Sequence, residues 1–292
     1  MKIGVSSYSF ARMMKDGEIT LNDVPALAKK IGYEGVELVS FFLPEDDHPT
    51  EKTIEAAKAF KAAAEAAGVV ITSYLVAGNF IGQDDPMVEA DRMMAHVDIA
   101  AMLGAGVMRF DAGWEPNVAQ GKLTYIQAAD YVAPAIRKVA EYAATKGVVT
   151  TSENHGRFMQ DSERCQYLIS KVNHPNYGAL LDLGNFLCAD EDPAKAVSNL
   201  WTVAKHVHAK DFLVKPFGTY APKDQGFFPT RGGNMLRGTI VGHGVVPLEH
   251  CLTILKQHGY DKWVMVEFEG IEDVMTAVTY AYANLKGILE RI

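Results

Sequence analysis

The run Lys205-His206-Val207-His208-Ala209-Lys210-Asp211 carries three ionisable side chains at alternate positions, beside apolar Val203, Ala204 and Val207. In a strand every second side chain turns to the same face, so His206, His208 and Lys210 share one. Buried without partners such groups are costly to desolvate, and pairing or a metal ion relieves the cost. Three further strand-like runs end in a carboxylate: Val148-Val149-Thr150-Thr151-Ser152-Glu153, Ala179-Leu180-Leu181-Asp182 and Trp263-Val264-Met265-Val266-Glu267. Three carboxylates and one imidazole at the ends of separate strands form a hard, oxygen-rich donor set. It suits one divalent ion, Mn²⁺ first, with Mg²⁺, Co²⁺ and Zn²⁺ also compatible. Strand-end capping or salt bridging would explain one such acid; it explains four successive strand ends poorly.

The neighbours extend the candidate site. His155, in Glu153-Asn154-His155-Gly156, could reach a substrate hydroxyl or hydrogen-bond a loop backbone. Asn185, in Asp182-Leu183-Gly184-Asn185, could hold a substrate oxygen or cap a helix. Lys210 is a candidate substrate contact toward the mouth, and Trp114 could floor a sugar pocket or simply pack. His206 reads as an interior residue rather than a second ligand. Glu37, Arg109 and Asp111 are weaker candidates from earlier strands, and the cluster Met87, Met93, Met94 and Met102 reads as core.

To bring these ends together the chain repeats one unit: an amphipathic helix, a glycine, then a short β-branched run. It recurs at Gly32, Gly68, Gly104, Gly147 and Gly259. Strands are expected near residues 3–8, 35–40, 69–75, 106–111, 148–153, 178–182, 205–210 and 263–268. Eight β/α alternations favour an α/β fold of the (β/α)8 TIM-barrel type over an open doubly wound sheet. No glycine-rich phosphate loop follows the first strand, as a dinucleotide-binding fold would require. Residues 1–292 read as one domain. The long connection at about 212–245, with Phe217, Tyr220, Phe227, Phe228, Arg231 and Arg237, reads as a lid over the barrel mouth or an interface. Arg237 is expected to contact substrate or partner.

Composition narrows the classes. A net charge of −8 argues against a nucleic-acid backbone binder. No apolar run is long enough to span a bilayer, and the start reads as a first strand rather than a signal peptide. Cys165, Cys188 and Cys251 are too scattered for a disulfide framework or Cys-rich zinc site. The expectation is a cytoplasmic protein without nucleic-acid or membrane partners, assembling as a homo-oligomer, dimer or tetramer.

The ordered set Glu153-Asn154-His155-Gly156, Leu181-Asp182-x-Gly184-Asn185, His206-x-His208-x-Lys210-Asp211, Gly242-x-Gly244 and Gly259-Tyr260-Asp261…Val266-Glu267 resembles the xylose isomerase-like superfamily. Within it the chain is similar to the sugar phosphate isomerase/epimerase group, which includes ketose 3-epimerases, hydroxypyruvate isomerases and inosose dehydratases. The resemblance covers essentially the whole chain. It implies one divalent metal on Glu153, Asp182, His208 and Glu267, with Glu153 and Glu267 also serving as an acid/base pair through an enediolate. The implied substrate is a sugar or polyol-derived ketone and the implied activity an isomerase or epimerase. A lyase on the same site, dehydrating an inosose or cleaving a 3-oxo-glycoside, is the alternative. The clamping His of ketose 3-epimerases corresponds here to Asn185. Their Arg after the metal His has no match, Val214 and Lys215 standing there, and Arg157, Phe158 and Met159 stand where an acidic residue is expected.

Overall fold

Short apolar strands alternate with helices, several of which close on a glycine. In this computed structural model, which describes residues 1–114 and 121–292, β1 (Lys2–Ser6) leads through α1 (Ala11–Lys15) and α2 (Val24–Ile31) to β2 (Gly35–Val39). Then come α3 (Glu51–Ala67), β3 (Val70–Val76), α4 (Pro86–Leu103), β4 (Val107–Phe110), α5 (Tyr125–Thr145) and β5 (Val149–Glu153). The second half runs α6 (Ser162–Val172), β6 (Tyr177–Asp182), α7 (Pro193–Leu200), β7 (Ala204–Ala209), β8 (Asp211–Lys215), β9 (Phe228–Pro229), β10 (Met235–Thr239), α8 (Leu248–Gln257), β11 (Trp263–Val266) and α9 (Val274–Arg291).

Eight of these strands close a barrel in the order β1-β11-β7-β6-β5-β4-β3-β2, with parallel neighbours throughout. This is a (β/α)8 TIM barrel, and its strands fall at the eight expected places. Gly68 and Gly104 close α3 and α4 at φ 67° and 77°, a left-handed conformation that costs other residues strain. The apolar core joins strands to helices, with Val36, Leu38, Val97, Ala100, Ile136 and Leu285 all fully buried. Parallel strands covered on their outer face this way carry the near-continuous apolar runs seen in the sequence.

The connection after β7 is ordered. β8, β10 and β9 pair antiparallel into a three-stranded sheet. Its return is clamped by buried Asp211, which accepts from the backbone N–H of Gly242, Gly244 and Val246 at 2.9, 2.8 and 3.0 Å. A Cβ at Gly244 would lie 2.1 Å from Asp211 Oδ1 and 2.4 Å from the Phe212 carbonyl, so the Gly242-x-Gly244 pair follows from close approach. Asp190 ties the sheet to the segment after β6, accepting from Thr230 Oγ1 at 2.7 Å and Asn234 Nδ2 at 2.8 Å. Arg231 pairs with Asp161 at 2.5 Å and donates to the Arg157 carbonyl. We expect Arg231→Ala to speed limited proteolysis within residues 216–234 severalfold at unchanged global stability. Equal cleavage rates in wild type and variant would contradict this anchoring.

Packing also sets a pH dependence far from the site. His96 on α4 is fully buried and shares a 3.0 Å hydrogen bond with Tyr74 on β3. Burial pushes its pKa down to about 3, and the Arg92 charge acts in the same direction. The folded chain keeps this imidazole neutral, whereas the unfolded chain protonates it below about pH 6.5. The unfolded state therefore binds the extra proton, and stability present above about pH 6.5 is lost as pH falls toward 3, at about 1.4 kcal/mol per pH unit. Denaturant titrations of His96→Gln should show a slope shallower by up to that amount between about pH 6.5 and about pH 4. Parallel pH profiles for the two proteins would contradict it.

Candidate metal centre

Local geometry aims one donor atom from each of four strand ends at a common point. Glu153 closes β5, Asp182 closes β6, His208 is the penultimate residue of β7, and Glu267 follows β11. All four are buried, and one ligand atom from each lies within 4.8 Å of the others. Asn154 stitches β5 to β6 beyond their ladder, donating to the Asp182 carbonyl and accepting from the Asp182 N–H, both at 2.8 Å. Asp182 Oδ1 accepts from the N–H groups of Gly184 and Asn185 at 2.8 and 2.9 Å, which turns Oδ2 toward the centre. Glu153 Oε1 accepts from Asn185 Nδ2 at 2.9 Å, and its Oε2 lies 2.5 Å from Arg109 Nη2. The Glu267 N–H donates to the Ala209 carbonyl at 3.1 Å, fixing its carboxylate beside β7.

These residues fit a metal ion. Asp182 Oδ2 and His208 Nδ1 are buried with no hydrogen-bond partner among the described residues, and Glu153 Oε2 has an ion pair but no aligned donor. Buried polar atoms are almost always satisfied, so a cluster of orphans aimed at one point marks a place for a ligand. The electrostatics agree. Burial pushes the Asp182 carboxyl up to about 6, and Glu153 and Glu267 add to that against the pull of Lys210. Burial raises Glu267 too, but Lys210 and then His208 outweigh it and hold the carboxyl well below its usual range. A cation is already drawn in: Lys210 Nζ lies 2.7 Å from Glu267 Oε2, 3.3 Å from Asp182 Oδ2 and 3.2 Å from Glu269 Oε2.

The residues named as substrate contacts gather on the same wall, with one exception. His155 Nδ1 lies 3.0 Å from Asp111 Oδ1 and 3.3 Å from Arg109 Nη2. Its pKa is raised: burial lowers it, but the Asp111 charge and hydrogen bond prevail. Half-exposed Trp114 packs edge-on against the His155 ring at 4.9 Å. Asn185 accepts from Lys210 Nζ at 3.4 Å. A cavity of about 370 Å³ at the barrel mouth is lined by Glu153, Glu267, Arg109, Trp114, His155 and Lys210. A second, of about 340 Å³, shares Trp114, His155 and Lys210 and adds Asn185 with Phe228 of the excursion. Arg237 stands apart on β10, its guanidinium 5.4 Å over the Phe227 ring.

Three contributors escaped the sequence reading. Glu269, two residues past Glu267, lines both cavities and pairs with Lys210. The spacing of two was the available signal. Tyr8 and Phe41 also line the larger cavity, and neither carries a local motif.

The chain is a parallel eight-stranded barrel whose strand ends converge three carboxylates and an imidazole. The sequence pattern of the xylose isomerase-like TIM barrel family matches residues 25–286, and the chain belongs to that family. It is similar to an inosose dehydratase from Clostridium botulinum (strain Alaska E43 / Type E3), 26% identical over 161 residues, covering 55% of this chain and 53% of that protein. The match thus spans about half the length of this curated relative. Among solved structures, the IOLI protein with a bound zinc atom superposes with a TM-score of 0.75 at 16% identity, over 100% of this chain and 99% of that one. A D-tagatose 3-epimerase-like protein superposes with a TM-score of 0.70 at 17% identity, over 100% and 99% of the two chains. At those identities the structural likeness is one of fold. No helix among the described residues is long and apolar enough to cross a membrane.

Proposed function

We propose that this chain is a divalent-metal-dependent enzyme that removes a proton beside the carbonyl of a ketosugar or polyol-derived ketone and returns it, an isomerase or epimerase. The observation that carries this reading is the buried convergence of Glu153, Asp182, His208 and Glu267 with its orphaned donor atoms. An ion held there, Mn²⁺ by the donor set, would supply positive charge where negative charge develops on the carbonyl oxygen.

The chain's own residues do the rest. Glu153 and Glu267 reach the centre from β5 and from just past β11, so a carbon held between them meets a carboxylate on either side. Asn185 and Arg109 fix Glu153, and Lys210 fixes Glu267, so each base is held in orientation before substrate arrives. Trp114 and His155 offer an aromatic face and a hydrogen-bonding edge suited to a polyol. The excursion carrying Phe228 covers one side of the mouth and limits water there.

A second reading, dehydration on the same site, is favoured by the similarity to inosose dehydratase and by Asn185, whose amide is engaged by Glu153 and Lys210 where an epimerase carries its clamp. Both readings share the first step. Incubating metal-loaded protein in D₂O with ketoses, inososes and 3-oxo-glycosides separates them. Deuterium at the carbon beside the carbonyl of a newly formed epimer or isomer supports epimerisation or isomerisation, and a lost water or aglycone supports the lyase. No exchange and no product across the panel would overturn both.

A further inference from the structure

Glu37 is a carboxylate at the middle of β2, fully buried inside the barrel, and the proposed proton chemistry does not use it. Its oxygens lie 3.0 and 3.1 Å from His208 Nε2. Glu37 Oε2 also accepts from Ser73 Oγ at 2.8 Å, and His206 Nε2 lies 3.1 Å from that hydroxyl and 3.5 Å from Oε2. A buried charge is retained where its hydrogen bonds do something an apolar residue could not.

The directions of these bonds follow from chemistry. A carboxylate only accepts, so His208 Nε2 carries the proton it shares with Glu37. In the neutral ring the other nitrogen, Nδ1, then presents a lone pair. That atom is the one left unpartnered, 3.9 Å from Asp182 Oδ2 and 3.7 Å from Glu267 Oε2, on the side of the four-residue centre. Ser73 gives its hydroxyl proton to Glu37, so its oxygen is free to accept from His206 Nε2–H. The hydrogen bonds converge on one carboxylate: His206 to Ser73 to Glu37 from one side, His208 to Glu37 from the other. This also accounts for the His206-x-His208 spacing. Two residues apart on one strand face, both imidazoles meet the same acid.

We infer that Glu37 is a positioning residue for the metal centre: it selects the His208 tautomer and fixes the ring so that Nδ1 faces the ion, with Ser73 and His206 holding Glu37 in turn. The inference rests on the reading of Glu153, Asp182, His208 and Glu267 as metal ligands. The same geometry argues against a second ion among Glu37, His206 and His208, because the Nε2 atoms there serve as donors.

The test is isothermal titration of metal-stripped protein with Mn²⁺, alongside thermal denaturation of the same stripped samples. Wild type should bind one ion per chain. Glu37→Gln keeps the volume and removes the charge, and should weaken Mn²⁺ by about tenfold to a hundredfold, the usual loss when such an outer partner is removed. Its stripped form should melt no lower than wild type. Ser73→Ala should weaken Mn²⁺ in the same direction by less, and serves if Glu37→Gln does not fold. Unchanged Mn²⁺ affinity in the folded variants, or a lower melting temperature with unchanged affinity, would reduce Glu37 to a structural role and overturn the inference. Two ions per wild-type chain would overturn it as well. Failure of the wild type to bind Mn²⁺ would instead strike the metal centre itself, and the inference with it.

Discussion

Glu153→Gln and Glu267→Gln should each lower turnover by roughly a hundredfold or more, the usual scale for losing a general base, while the protein should still bind metal. Glutamine keeps the side-chain length and one neutral oxygen at the centre, so metal affinity falls moderately. It cannot take a proton from carbon. The two variants are not expected to fail alike. Glu153 is braced by Arg109 and by Asn185, and Glu267 by Lys210, so each meets the substrate from its own fixed side. If one carboxylate removes the proton and the other delivers it, the variant lacking only the second still exchanges substrate hydrogen with solvent without completing turnover. Mass spectrometry of substrate recovered from D₂O reads that difference directly. Wild-type turnover in both metal-bound variants would mean that the proton moves through another group, with His155 and Lys210 the next to replace.

The barrel was legible because its signals are local. A glycine after five of the helices, at Gly32, Gly68, Gly104, Gly147 and Gly259, and a short strand-like run after each glycine are nearest-neighbour patterns, and five strands fall where those patterns place them. The convergence of these four side chains was legible for the same reason: Glu153 and Asp182 end strands, Glu267 follows one and His208 lies one residue from the end of another, which in a parallel barrel puts them at the mouth. What surrounds that set was harder to read because it depends on contacts distant in sequence. Glu37 lies 171 residues from His208, and nothing within β2 announces the pairing. Arg109 and Asp111 ranked low as isolated charges, yet they form one network with His155 and Glu153. The 212–245 connection read as a loop because its strands are short and the residues between them are rich in glycine and proline. It forms an antiparallel sheet through pairing with its own return strand and through the clamp of Asp211. Arg237 drew notice only as a cation in an aromatic segment. Its guanidinium lies over the Phe227 ring and not on the carboxylate wall.

The largest effect on binding is expected from the ligands themselves. Asp182→Ala removes both the oxygen aimed at the centre and the acceptor that orders the Gly184 and Asn185 N–H groups. His208→Ala removes the only nitrogen of the four-residue set. Loss of an outer partner alone weakens a bound metal by up to about a hundredfold, so loss of a direct ligand should exceed that. Asp182→Asn separates the two parts of the Asp182 effect, since its amide oxygen can still accept from the loop N–H groups while the charge at the centre is gone. The measurement that bears most directly on the account is metal content after loading with Mn²⁺ and exhaustive desalting, read by elemental analysis on folded samples. Wild type should retain one ion per chain, and Asp182→Ala and His208→Ala essentially none. Full retention in both variants would show that the ion, if one is bound, sits elsewhere and that these strand ends do not form the metal centre.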